Sequence, residues 1–307
     1  MRLHILHETR YTYNVPVHAV AMEARLQPTN DDFQFCHRYR LVVSPRTSIQ
    51  TYTTFSDVIV HYWTLLKATE VVILSESEVE VHERPLMALD APPQIVDHVD
   101  IFPYIEPSCL IGITPEILDF AAPFAMLAQE DWYQTALSVS EAIFKTIDYK
   151  VGCTNTQTTA SDALELGCGV CQDFTHLMIA CLRALGIPAR YVSGYLNQRM
   201  QQESTFRAGG FAYQSMSQNS MEQIMHGPSP DVPGERSVRG TGASHAWCEV
   251  YLGPDNGWRG FDPTNNLLAD QNFVRIGAGR DFADLTPLKG VHKGPAEEKL
   301  QVRVNVG

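Results

Sequence analysis

Residues 167–186 read GCGVCQDFTHLMIACLRALG. Within this stretch Phe174, Leu177, Met178, Cys181, Leu182 and Leu185 recur at i, i+3, i+4, i+7, i+8 and i+11. That is the spacing of one face of an α-helix, and its uniform apolarity predicts a buried core helix. Gly186 with Pro188 just beyond marks its end. Its start follows a turn flanked by Gly167 and Gly169, glycines that let the backbone turn sharply, and Cys171 sits where the helix begins. A thiol there feels the positive end of the helix macrodipole, which favours thiolate. The backbone N–H at such a position is also a natural oxyanion donor. Taken alone, a cysteine at a helix start is more often structural than reactive.

Downstream, HAWCEVYL (245–252) alternates. His245, Trp247, Glu249 and Tyr251 fall on one strand face, and Ala246, Cys248, Val250 and Leu252 on the other, apolar face. The polar face is expected to present His245 to a cleft, with Trp247 beside it as a candidate substrate contact. The next segment, GWRGFDPTNN (257–266), reads as a short strand ending at Asp262-Pro263. Only the turn-forming LGPDNG separates the two strands. Adjacent antiparallel strands bring His245 and Asp262 side by side, where a carboxylate accepts the imidazole N–H and stabilises the imidazolium. Cys171, His245 and Asp262 are thus the candidate nucleophile, base and orienting acid.

Working outward, residues 1–85 show period-2 patterning at Tyr11, Tyr13 and Val15, at Val58 and Val60, and at Val79 and Val81 between glutamates. Turn clusters such as PTNDD and VSPRTS separate these runs, so antiparallel strands with one buried face are expected, in a β-sandwich-like domain. Residues 86–113 are Pro-rich and aperiodic, a linker laid against the next domain. Thr114-Pro115-Glu116 opens a helix that Pro123 ends or kinks. Another helix begins near Asp131, with Gln134 in capping-box spacing and an apolar face through Ala136, Ile143 and Ile147. Ala160–Leu166 forms a short helix closed by Gly167. ARYVSGYL (189–196) and LQVRVNV (300–306) read as strands. Residues 198–242 carry no periodicity; a stretch this long is expected to be a lid, a substrate loop or a surface insertion. The domains expected are therefore 1–85, a linker 86–113, and a catalytic core 114–307 carrying that insertion.

The segments GCGVCQDFTHLMIACLRALGIPARYVSGY, SHAWCEVYL and GWRGFDPTNN together resemble the core of the bacterial transglutaminase-like superfamily, over roughly residues 130–270. Three separated motifs stand in the order Cys, His, Asp that this superfamily shares with papain-like enzymes. The first 85 residues resemble the N-terminal domain of bacterial members, and GRDFADLTPLKGV (279–291) resembles their C-terminal segment. The resemblance implies an α+β fold: a β-sandwich-like domain, then a papain/transglutaminase-like core with the Cys-bearing helix packed on an antiparallel sheet. It implies Cys171 as nucleophile, His245 as base and Asp262 as third member of a triad. The activity implied is that of a cysteine protease, amidase or transglutaminase acting on a peptide, protein or small amide through an acyl-enzyme, with no cofactor. The insertion at 198–242 is longer than the family pattern requires.

Net charge is −12, which argues against a phosphate backbone as partner and hence against nucleic acid. No uncharged apolar stretch is long enough to cross a bilayer, so no membrane partner is expected. The N-terminus lacks a secretory pattern, and a cytoplasmic protein is the expectation. The seven cysteines, odd in number and scattered, do not read as a disulfide framework. Two rival readings use Cys168-x-x-Cys171. A metal site with His176 and Cys181 is disfavoured, because helical geometry turns those two away from Cys171. A Cys168–Cys171 disulfide would make a redox switch blocking the nucleophile. A non-catalytic scaffold on the same fold is a further alternative.

Overall fold

The computed structural model describes residues 1–54, 56–86, 101–197, 239 and 244–307. Most of the expected insertion at 198–242 and part of the expected linker lie outside the described residues.

The N-terminal region is built from β1 (Arg2–Val17), β2 (Ala19–Ala24), β3 (Gln34–Ser44), β4 (Gln50–Thr53), β5 (Ile59–Leu65) and β6 (Ala68–Val81). They lie in two four-stranded antiparallel sheets. Alternation places one face of each sheet inward. Tyr11, Tyr13, Val71 and Ile73 from one sheet meet Val20, Met22, Trp63 and Leu65 from the other in a shared core. This is the expected sandwich.

The helices obey their local signals. Helix α1 (Pro115–Ala121) starts at Thr114, whose hydroxyl accepts from the Ile117 N–H. It gives way to a 3-10 turn holding Pro123, after which α2 (Ala125–Glu130) resumes. Helix α3 (Trp132–Thr146) starts at Asp131, which accepts from the Gln134 N–H. Helix α4 (Ala160–Leu166) has a capping box of Thr159 and Asp162 and ends at Gly167 with φ 65°. Between α3 and α4 lies β7 (Asp148–Tyr149), parallel to β8 (Cys168–Gly169). The core helix α5 (Cys171–Ala184) comes next.

Helix α5 packs on a five-stranded sheet made of β9 (Ala189–Leu196), β10 (His245–Tyr251), β11 (Trp258–Asp262), β12 (Leu267–Leu268) and β13 (Phe273–Gly279), ordered β12-β11-β10-β9-β13. Phe174, Leu177, Met178, Cys181 and Leu182 of the helix share a core with Ala246, Cys248 and Val250 of the strand. Every residue of β10 is buried, including the polar face expected to border a cleft. The Cys248 face of the sheet meets α5 and, further along β9 and β13, the sandwich, while on the opposite face Trp247 packs with Val192, Leu196 and Phe273. Leu3, Ile5, Val79 and Val81 pack on Tyr195, Val274 and Ile276. On that opposite face Glu249 is held by Arg190, which donates to it from two nitrogens at 2.8 and 2.6 Å.

After a short helix α6 (Phe282–Leu285), the chain returns to the N-terminal region. Strand β14 (Leu288–Lys293) pairs with β2, and β15 (Glu298–Val306) pairs with β1. The expected boundary groups residues 114–307 as one core. Backbone pairing instead makes 288–306 the outer strands of the sandwich, because β1 and β2 otherwise present unpaired edges.

The segment before α1 is fastened by two buried side chains, one of which, Asp281, accepts from the Leu110 N–H at 3.0 Å. Arg183 of α5 donates to the carbonyls of Tyr104, Glu106, Ala189 and Arg280 and to the Ser108 hydroxyl. Residues 101–111 are thereby laid against the core.

Candidate active site

Cys171 is the first residue of α5, half-buried and free. Its position is set by the turn ahead of it. The Asp173 carboxylate reaches back to the Val170 N–H at 2.8 Å and takes the Thr154 hydroxyl at 2.6 Å, fixing the first turn. Gly169 is needed for that turn, since a Cβ there would lie 2.6 Å from the Asp173 side chain. Strand β8, just ahead of the thiol, is tied by a disulfide from Cys168 to Cys153, with Cα atoms 6.3 Å apart. This corrects the Cys168–Cys171 redox reading. The parallel β7–β8 pairing brings the loop after Tyr149 to Cys168, and Cys171 turns away into the helix. The same disulfide takes Cys168 from any metal set. His176 is fully buried and its Nε2 accepts from the Phe282 N–H at 3.2 Å. Burial lowers the His176 imidazole to about 4.

His245 opens β10 and Asp262 ends β11, two adjacent antiparallel strands in which Cys248 faces Phe261. Continuing that register by one residue sets Asp262 beside Trp247 and diagonal to His245 on the same face. His245 Nε2 and Asp262 Oδ2 are 2.8 Å apart, and both side chains are wholly buried. The carboxylate is held by two further donors: Oδ1 accepts from the Thr264 N–H at 2.9 Å, and Oδ2 from Asn265 Nδ2 at 2.8 Å. With Nε2 engaged, His245 Nδ1 is left, buried and with no hydrogen-bond partner among the described residues. The Cys171 sulfur is close enough to the ring to act on its charge.

Burial alone would push the His245 imidazole down. The Asp262 carboxylate, by charge and by hydrogen bond, with a smaller part from Cys171, outweighs burial and raises it from 6.5 to about 10. The folded protein therefore keeps a proton that the unfolded chain releases near 6.5. The stability linked to that proton is fully present below pH 6.5 and is lost as pH rises to about 10. Urea unfolding across that interval is expected to show falling stability. His245→Gln is expected to remove that part of the slope; an equal slope in the variant would refute the assignment.

The sheet face that carries His245 is completed by aromatic packing. The Trp247 ring stacks against His245 at 6.4 Å and 27°, and meets Phe273 edge-on at 5.3 Å. Gly194 and Gly260, on the strands either side, leave the room it occupies; a Cβ on Gly194 would lie 2.6 Å from the indole. Trp247 is 2% exposed. It packs behind the imidazole and does not line an open cleft, which corrects its reading as a substrate contact. Tyr191 and Tyr195, on the neighbouring strand β9, are also buried. Tyr191 faces His176 and Phe282, and the Tyr195 hydroxyl meets His7 Nδ1 at 2.9 Å under the sandwich.

Three residues not singled out by the sequence belong to this site. Asn265 joins the Asp262 carboxylate to the backbone of Arg239: its Oδ1 accepts from the Arg239 N–H at 2.7 Å and its Nδ2 lies 3.2 Å from the Arg239 carbonyl. Tyr149 pairs through its backbone with Gly169. Burial, with a contribution from Cys171, raises its phenol to about 12. Arg239 sits with its guanidinium 4.8 Å from the Phe144 ring and 5.9 Å from that of Tyr149. The DPTNN run contained the Asn265 signal, since a side-chain amide three residues after an aspartate in a turn can reach back to it.

Comparison with known proteins bears on the family and the fold. Residues 120–263 match the model of the transglutaminase-like superfamily, and residues 3–80 that of the bacterial transglutaminase-like N-terminal region. An uncharacterized protein of Mycobacterium leprae is 29% identical over 99% of this chain and 98% of its own length. An uncharacterized protein of Mycobacterium tuberculosis is 28% identical over 94% of this chain and 87% of its own. A candidate cysteine protease from Cytophaga hutchinsonii, known from its crystal structure, shares the fold with a TM-score of 0.71 and 23% identity, covering 100% of this chain and 90% of that one. The chain belongs to the transglutaminase-like superfamily, with the bacterial N-terminal region ahead of its core.

Proposed function

We propose that the protein is a thiol acyl-transfer enzyme acting on amide or peptide bonds, with Cys171 as nucleophile, His245 as base and acid, and Asp262 orienting the imidazole. The observation that carries this reading is the buried His245–Asp262 pair, which occupies Nε2 and leaves Nδ1 for the thiol. The Cys171 thiolate adds to the amide carbonyl, forming the C–S bond. The oxyanion is received by backbone N–H groups at the start of α5, which lack intrahelical acceptors. The C–N bond then breaks as the His245 imidazolium passes its proton to the leaving amine. Water or a second amine attacks the thioester, His245 takes the incoming proton, and the C–S bond breaks to return the Cys171 thiolate beside the imidazolium. Water as acceptor makes a protease or amidase; an amine makes a transglutaminase.

Incubation with peptide and amide libraries, with and without an added primary amine, tests this. Intact mass is expected to show an acyl adduct on Cys171 that water discharges, and amine-coupled products if transfer competes. An absence of adduct from every amide, with Cys171 alkylated no faster than the exposed Cys109, would sink the proposal.

A further inference from the structure

Arg239 is a cation at the edge of the candidate site that no part of the proposed chemistry uses. Its backbone is clamped by Asn265, and its Nη1 donates to the Thr264 carbonyl at 3.4 Å, so it is fastened to the turn that carries Asp262. Its guanidinium lies over two rings, those of Phe144 and Tyr149. Planar stacking of this kind fixes a guanidinium while leaving its edge open to an acceptor. Tyr149 in turn lies within electrostatic reach of Cys171, Arg239 and Asp262 together, and its backbone pairs with Gly169, two residues before the thiol.

Among the described residues no carboxylate pairs with Arg239. Asp262, the acid nearest in the chain fold, is already taken by His245, Asn265 and the Thr264 N–H. An arginine serving only to cap Phe144 and Tyr149 would stack equally well and show no preference for an anion at the thiol. A partly exposed arginine fastened to the turn that carries Asp262, and stacked on the tyrosine that pairs just ahead of the thiol, has donors left for bidentate recognition of a planar oxyanion.

We propose that Arg239 forms a carboxylate-binding subsite next to Cys171, so that preferred amide substrates carry a carboxylate close to the scissile carbonyl, as in acidic peptides or acylated amino acids. This inference rests on the thiol-enzyme reading above and names its substrate class.

Iodoacetate and iodoacetamide test it, because they alkylate by the same displacement and differ in a carboxylate against a neutral amide. The rate of each at Cys171 is followed by mass spectrometry in the full-length protein and in Arg239→Gln and Arg239→Lys. The ratio of iodoacetate to iodoacetamide rates is expected to fall roughly threefold to tenfold in Arg239→Gln, the size of one nearby charge in partly screened surroundings. Arg239→Lys is expected to fall between, keeping the charge and losing the fork. In the unmodified protein, salt above about 0.3 M should lower the ratio toward that of Arg239→Gln. An unchanged ratio in Arg239→Gln, with Cys171 still labelled ahead of other thiols, overturns the carboxylate subsite alone. Slow labelling of Cys171 by both reagents overturns the thiol-enzyme reading first. Should Arg239→Gln not fold, Arg239→Lys and the salt series decide: a ratio insensitive to both refutes the subsite.

Discussion

His245→Ala slows alkylation of Cys171 by iodoacetamide at neutral pH by about 10²-fold, and any amide turnover by about 10²–10⁴-fold, the range for loss of a positioned base. The expectation derives from the burial of the pair. A wholly buried imidazole, held above its ordinary range by Asp262, is a cation at neutral pH, and in the proposed mechanism that cation stands beside the attacking sulfur. Alanine removes the cation and the proton carrier together. It also leaves Asp262 buried with only Thr264 and Asn265 as donors. Asp262→Asn separates the two losses: its single amide oxygen keeps one of the Thr264 and Asn265 donors, but it no longer stabilises an imidazolium. Its alkylation rate is expected between that of the unmodified protein and His245→Ala. Equal rates in all three proteins, with intact fold by circular dichroism, would show that Cys171 reacts independently of the pair.

The second large effect concerns stability. Arg183→Met is expected to lower the unfolding free energy by about 3–5 kcal/mol, the cost of breaking a buried, fully bonded charged group by removing one side. The substitution keeps much of the buried stem and deletes the guanidinium. Four carbonyls, those of Tyr104, Glu106, Ala189 and Arg280, lose their shared donor. Residues 101–111 should then loosen first, which hydrogen exchange can localise, and urea unfolding measures the total. A change below about 1 kcal/mol would mean that water replaces the guanidinium without penalty.

Local features are legible in the sequence. The caps at Thr114, Asp131 and Thr159 and the left-handed Gly167 depend on neighbours within four residues, and each helix begins or ends where its signal lies. The placement of His245 beside Asp262 is legible because a short turn joins their strands. Features that depend on distant partners are not. Alternation in residues 300–306 indicates a strand but not that its partner is β1. The spacing of Cys168 and Cys171 says nothing of Cys153. The polarity of Glu249 suggests an open face, whereas a buried ion pair with Arg190 satisfies it in the interior. Trp247 misleads for the same reason: its burial is decided by glycines on two neighbouring strands.

The return of the chain to its own beginning sets an order of assembly. Strand β1 is flanked by β6 and β15, so Ile5 faces Ser77 on one side and Val306 on the other. One neighbour, β6, follows soon after β1 in synthesis, and the other, β15, only after the whole helical core. Until β15 arrives, β1 is an unguarded edge able to template foreign strands. Closing a loop of nearly the whole chain is slow compared with forming helix contacts. Emergence of β15 is thus the step that seals the sandwich, and a chain stopped short of β15 would be expected to aggregate while its helical core is already formed.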